Sequence, residues 1–129
     1  MNPSSSLAPR TLLSIVELGG YPDFAALYAR AGFKVESATS MRKAVALLKT
    51  LRPAIVVAEF NFQSDFRDRT SSLETLLAVL QRLPDTRLIV FYEKEYLHQL
   101  QRVSDRFPLY TTFAYPIDAP QLETTLRQV

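Results

Sequence analysis

No cysteine occurs among the 129 residues, which excludes a disulfide framework, a thiolate metal site and a cysteine nucleophile. That absence fits a reducing compartment, and the cytoplasm is the expected location. A single histidine, His98, leaves no histidine-rich metal centre. Glycine is scarce, with 3 residues, so a collagen-like repeat is excluded. Charge of one sign is lacking as well. The 15 Lys and Arg stand against 13 Asp and Glu for a net +2, and they are scattered, so no basic stripe suggests a nucleic-acid partner. Long hydrophobic runs are missing: Ala54–Ala58 and Leu88–Tyr92 fall far short of the ~18 residues of a membrane helix, and no membrane partner is expected.

What is present is a composition of 47% hydrophobic and 22% charged residues, enough for one globular domain with a real core. Residues 1–10, mostly Ser, Pro and small residues, read as a flexible N-terminal segment, and residues 11–129 as the domain. Four short apolar segments, Leu12–Val16, Ala54–Ala58, Leu88–Tyr92 and Tyr110–Ala114, read as buried strands apolar on both faces. Lys34–Ala38 alternates and suits a strand nearer an edge. Between them apolar residues recur at helical spacing: Phe24, Leu27, Tyr28; Met41, Ala44, Val45, Leu48; Leu73, Leu76, Leu77, Leu80; Leu97, Leu100; and Leu122, Leu126, Val129. Ser71-Ser72-Leu73-Glu74 reads as a capping box, and Asp118 with Pro120 as the start of the last helix. Arg52-Pro53 and Phe107-Pro108 are expected to end the second and fourth helices.

Strand and helix alternating five times predict an α/β, doubly wound (βα)5 fold with a parallel five-stranded sheet, flavodoxin-like in class. In such sheets functional groups gather beyond the carboxyl ends of the strands, which directs attention to Glu17, Glu59, Tyr92 and Tyr115. The chain from Thr11 to Val129 resembles the response regulator receiver (CheY-like) domain. Arg52 to Phe62 (RPAIVVAEFNF) is similar to that family's third strand, Leu13 to Leu18 to its first strand with the terminal acid pair, and Ala114 to Asp118 to its lysine-proline turn.

The resemblance implies a phosphoacceptor aspartate, a metal-binding acid pair, a hydroxyl residue and a lysine, and the chain departs at each. The acceptor position is Glu59, with Asn61 two residues on. The acid pair is Glu17-Leu18, where a hydrocarbon replaces a hard oxygen ligand for Mg²⁺. Tyr92 takes the hydroxyl position and Tyr115, before Pro116, that of the lysine, yet a neutral phenol cannot neutralise a phosphoryl group as an ammonium does. The resemblance therefore points to a degenerate pseudo-receiver, without catalysis, metal or cofactor. Glu59 as a mimic of the phosphorylated state is the lesser reading, because it carries one negative charge where an acyl phosphate carries ~1.5 to 2. A carboxylate held within a repurposed pocket is the preferred one.

Gly19-Gly20 lacks the companions of a phosphate loop and reads as a plain turn. His98 reads as a helix-surface residue, and with no G-x-S-x-G elbow there is no support for a hydrolase. The stretch Glu59 to Arg69 exceeds the usual ~2 to 6 residues of a strand-to-helix connection. Its Phe60, Phe62 and Phe66, with Arg67 and Arg69, are either a docking surface or a lid folded over the vacant pocket. The family resemblance also implies a cis Tyr115-Pro116 bond, and it places Thr112, followed by Phe113, where many receivers carry a switch aromatic. It further implies pairing through the fourth helix, fifth strand and fifth helix, where Tyr96, Leu100, Arg102, Asp105, Arg106 and Gln121 would face a second copy. The expected function is a phosphorylation-independent interaction module in bacterial-type signal transduction, with a signalling protein as partner and a homodimer compatible with that face. Two alternatives stand beside it: a phosphoaccepting receiver using Asp65 or Asp68, and a flavodoxin-like small-ligand binder using the tyrosine-lined crevice.

Overall fold

The computed structural model describes residues 10–17, 21–60, 72–105 and 109–129. The expected N-terminal segment up to residue 9, the Gly19-Gly20 turn, the loop from Asn61 to Thr70, Ser71 and Phe107-Pro108 lie outside the described residues. Strands and helices alternate throughout: β1 (Arg10–Ile15), α1 (Ala25–Arg30), β2 (Phe33–Ala38), α2 (Met41–Leu47), β3 (Ile55–Glu59), α3 (Ser72–Leu80), β4 (Arg87–Tyr92), α4 (Leu97–Ser104), β5 (Thr111–Ala114) and α5 (Ala119–Arg127). A 3-10 turn, Lys94–Tyr96, leads into α4. The sheet runs in the order β2-β1-β3-β4-β5, and every neighbouring pair is parallel. This is the α/β, doubly wound five-stranded architecture the alternation predicts.

Alternate residues of each strand feed two separate cores. On one face Leu13, Val56, Ala58, Leu88 and Val90 meet α2, α3 and α4 through Ala44, Leu76, Leu77, Leu100 and Val103. On the other, Leu12, Ile55, Val57, Ile89 and Phe91 meet α1 and α5 through Leu27, Tyr28, Leu122 and Leu126. Every residue of the central β3 is buried, and β2, whose Lys34 and Ser37 are exposed, is the edge strand its alternation suggests.

Three expectations need correction. β5 is not apolar on both faces: it forms the other edge, with Phe113 buried and Thr112 exposed. Helix α2 ends at Leu47, ahead of the Arg52-Pro53 stop. There the Arg52 guanidinium folds back and donates to the carbonyls of Leu48 (3.0 Å) and Lys49 (3.4 Å), which supplies partners to groups the helix end leaves open. Finally Leu100, expected on a docking face, is 2% exposed and belongs to the core beneath α4, whereas Leu97 is 38% exposed.

The caps follow the sequence more closely. Asp118 accepts the Gln121 N–H at 3.0 Å and Pro120 follows in the first turn of α5. Ser40 accepts the Lys43 N–H at 3.1 Å at the start of α2. After α1 the chain reverses through Gly32 at φ +103°, a left-handed conformation that favours glycine. Among the described residues no helix is long and apolar enough to cross a membrane.

Candidate functional site

The carboxyl ends of β1, β3, β4 and β5 all fall at one edge of the sheet, so the topology brings Glu17, Glu59, Tyr92 and Tyr115 to the same end. Glu59 closes β3 in register with Phe91 and is 6% exposed. The next residue, Phe60, donates its N–H to the Phe91 carbonyl at 2.8 Å, extending the ladder one step beyond the strand. That extension buries the Phe60 ring to 3% exposure in the core on the α2–α4 face, so Phe60 is removed from the docking surface. Phe62, Phe66, Arg67 and Arg69 lie outside the described residues, as do Leu18, Asn61 and Arg106.

Glu17 leaves the end of β1 and turns toward α2. Its Oε2 accepts the backbone N–H of Met41 at 3.2 Å, which satisfies one of the open donors in the first turn of that helix. The carboxylate thus completes the cap that Ser40 begins.

The strand-four residue that faces Glu59's side of the sheet is Phe91. Tyr92 packs against the opposite core, with α2, α3 and α4. Around Phe91 the rings form a continuous cluster: Tyr21 at 5.6 Å between centroids, Phe24 at 5.9 Å and Phe113 at 6.3 Å. Phe24 in turn meets Tyr28 at 6.3 Å, and Tyr21 meets Tyr115 edge-on at 5.7 Å. Tyr115 is 45% exposed and precedes Pro116 through a cis peptide bond, the isomer that the resemblance implies. Thr112 lies on the open face of β5, and Phe113 is turned into the α1–α5 core.

Electrostatics follow from this enclosure. Burial, then the negative charges of Glu93 and Glu59, push the Tyr21 phenol up to about 12. Tyr28 is raised further, by burial and then by Asp23 and Glu59. Tyr21, Phe24 and Tyr28 were not singled out from sequence as site residues. The signal that carries them is the Tyr-Pro-Asp-Phe run directly before α1, where turn residues place two rings at the mouth of the crevice.

The family resemblance implies a divalent ion beside the acceptor position, and the described residues do not fit it. Glu17 is engaged with the α2 backbone, its sequence neighbour is Leu18, and among the described residues no three His, Asp or Glu side chains gather closely enough to share an ion.

No family model matches the chain, and no curated protein matches it in sequence. Solved structures do match. The chemotaxis protein CheY4 of Vibrio cholerae superposes with a TM-score of 0.73 at 18% identity, covering 95% of this chain and 99% of that one. A response regulator receiver protein from Sinorhizobium medicae WSM419 gives 0.70 at 21% identity, over 96% and 95%. The signal receiver domain of a modulated diguanylate cyclase from Desulfovibrio desulfuricans G20 gives 0.70 at 20% identity, over 94% and 92%. The fold is the receiver fold. At these identities the likeness is one of architecture, and the chemistry at the strand ends is this chain's own.

Proposed function

We propose that this chain is a receiver-type signalling module that acts by binding another protein, without phosphoryl transfer to an aspartate. The observation that carries the reading is the Glu17 carboxylate, which accepts the Met41 N–H and so serves as a helix cap. Two further features support it. The acceptor position holds the buried Glu59, and the position of the ammonium holds Tyr115, whose ring rests on Tyr21. Among the described residues, no Lys, Arg or His lines the pocket around Glu59 to neutralise a developing phosphoryl charge. The proposed partner face is that of α4, β5 and α5, a reading supported by the exposure of Leu97, Arg102, Asp105 and Gln121, beside the half-buried Tyr96. A second copy of the chain is the partner proposed there.

Intact-mass measurement after incubation of the full chain with acetyl phosphate and Mg²⁺ tests the reading. No added phosphoryl group is expected. A stoichiometric adduct on any residue, Asp65 and Asp68 of the long loop included, would restore the phosphoaccepting alternative.

A further inference from the structure

Helices α2 and α3 are neighbours on one face of the sheet, and between them runs a groove of about 430 Å³. None of the strand-end residues of the candidate site lines it. Met41, Val45 and Ala46 of α2 supply its apolar part, and α3 contributes Thr75. Arg42 comes from the first turn of α2 and Lys49 from the turn just beyond its end, so a cation stands at either end of the apolar part. Arg42, Ala46, Lys49 and Thr75 are all exposed, which makes this an open groove rather than an enclosed cavity.

Charge here is of one sign over a long run of chain. From Ser37 to Ala58, all of it described, there are Arg42, Lys43, Lys49 and Arg52 and no Asp or Glu. The helix therefore offers its cations no acid at the i,i+3 or i,i+4 spacing that would neutralise them. Arg52 is turned to the Leu48 and Lys49 carbonyls, which leaves Arg42 and Lys49 as the cations presented to the groove. Glu17, at the entry to α2, is bound to the Met41 N–H and does not line it. The Thr75 hydroxyl can donate to a carboxylate as readily as it can accept.

A small molecule needs most of its surface buried, which an open groove does not supply, whereas a chain segment laid along it gains contact with length. A phosphate-rich partner would use the two cations and leave its own charges over the apolar part. A segment with apolar side chains in one stripe and carboxylates beside them uses both.

We propose that the α2–α3 groove docks an acidic amphipathic segment of a partner protein, its apolar stripe on Met41, Val45 and Ala46 and its carboxylates paired with Arg42 and Lys49. The proposal rests on the reading of the chain as a protein-binding module and deepens it, by naming the chemistry of a partner and a surface separate from α4, β5 and α5.

Calorimetric titration of the full chain with a helical peptide of about two heptads, leucine at a and d and glutamate at e and g, tests it. Saturable binding is expected, and it should weaken with added salt. The same peptide with lysine in place of glutamate should bind weaker by about tenfold or more. Arg42→Glu combined with Lys49→Glu should cost the glutamate peptide about tenfold or more, and Ala46→Glu, which sets a carboxylate in the groove, should do the same. Each of these residues is exposed, so unaltered melting is expected and separates lost docking from lost folding. Arg87→Glu makes the same charge change beside Tyr110 on the α1–α5 face and should leave the affinity as it is. A flat titration, equal binding of the two peptides, or an equal loss in Arg87→Glu would overturn the proposal. Tighter binding to phosphatidylserine vesicles than to the peptide, lost in the same double variant, would overturn it in favour of a membrane surface. A phosphoryl adduct in the mass experiment would overturn the phosphorylation-independent reading without altering the titration, and a flat titration without an adduct would overturn the groove alone.

Discussion

Tyr21 and Tyr28 show how a change of neighbours alters the chemistry of a single side chain. Both phenols sit against acids at the sheet edge, and burial is the largest cause of their upward shift, to about 12 for Tyr21. Their ordinary value is 10.0, so the folded state resists ionisation that the unfolded chain allows. The stability this contributes is complete below about pH 10 and is lost as pH rises through the folded values. Absorbance titration should therefore show Tyr21 ionising only at about pH 12, and Tyr28 later still or with alkaline unfolding. In Tyr28→Phe the late portion should shrink by one phenol. Tyr21 and Tyr28 titrating at their ordinary 10.0 would show that the crevice is open to water.

At the scale of elements, α4 separates what the sequence makes legible from what it hides. Apolar spacing locates the helix, and short apolar runs, with alternation in β2 alone, locate the five strands to within a residue or two. Phase is harder. Leu97 and Leu100 share one helical stripe, but in a helix of eight residues the packing of neighbours decides which is covered, and it covers Leu100. The same ambiguity affects Phe91 and Tyr92: in an apolar run a shift of one residue exchanges the two faces, and only the register with β3 shows that Phe91 shares Glu59's side. Glu17 is a third case, since its bond to Met41 joins residues 24 apart that nothing local pairs. The strand-end acids and the cap of α5 were readable because each depends on residue type at a fixed place in the alternation of strand and helix, whereas the lysine position at Tyr115 came from the family resemblance. Exposure of Leu97 leads to a test of the proposed pairing face. In sedimentation equilibrium the full chain should self-associate, and Leu97→Glu should weaken that association by about tenfold or more, the loss of an apolar anchor. Its melting should stay within about 0.5 kcal/mol of the parent, as for a surface substitution. A monomeric parent chain would remove the homodimer and leave the face for a different protein.

For the whole molecule, the question is what fastens the two ends of the chain to one another. Arg10 of β1 donates to the Val129 carbonyl at 2.7 Å, and α1 is tied to α5 through Glu123. That carboxylate receives Arg30 at 3.0 Å and Arg127 at 2.6 Å, while Arg127 also donates to the Arg30 carbonyl at 3.1 Å. Hydrogen bonds from Arg30 and then Arg127 hold Glu123 at about 2, against an ordinary 4.5. A depressed carboxylate contributes stability that is fully present above its unfolded value and lost as pH falls through the folded one. The window is therefore about pH 4.5 down to about pH 2. Because the guanidinium groups are solvent-exposed, the contribution is modest and weakens with added salt. Thermal melts of the parent chain and Glu123→Gln across this range provide the measurement. The parent should melt higher by a constant margin from neutral pH to about pH 5, and the margin should close between about pH 4.5 and about 2. Both proteins share every other ionisable group, so the difference isolates Glu123. A margin unchanged at the acid end would mean that α1 and α5 are held by Leu27, Leu122 and Leu126 alone, with the ion network adding nothing measurable.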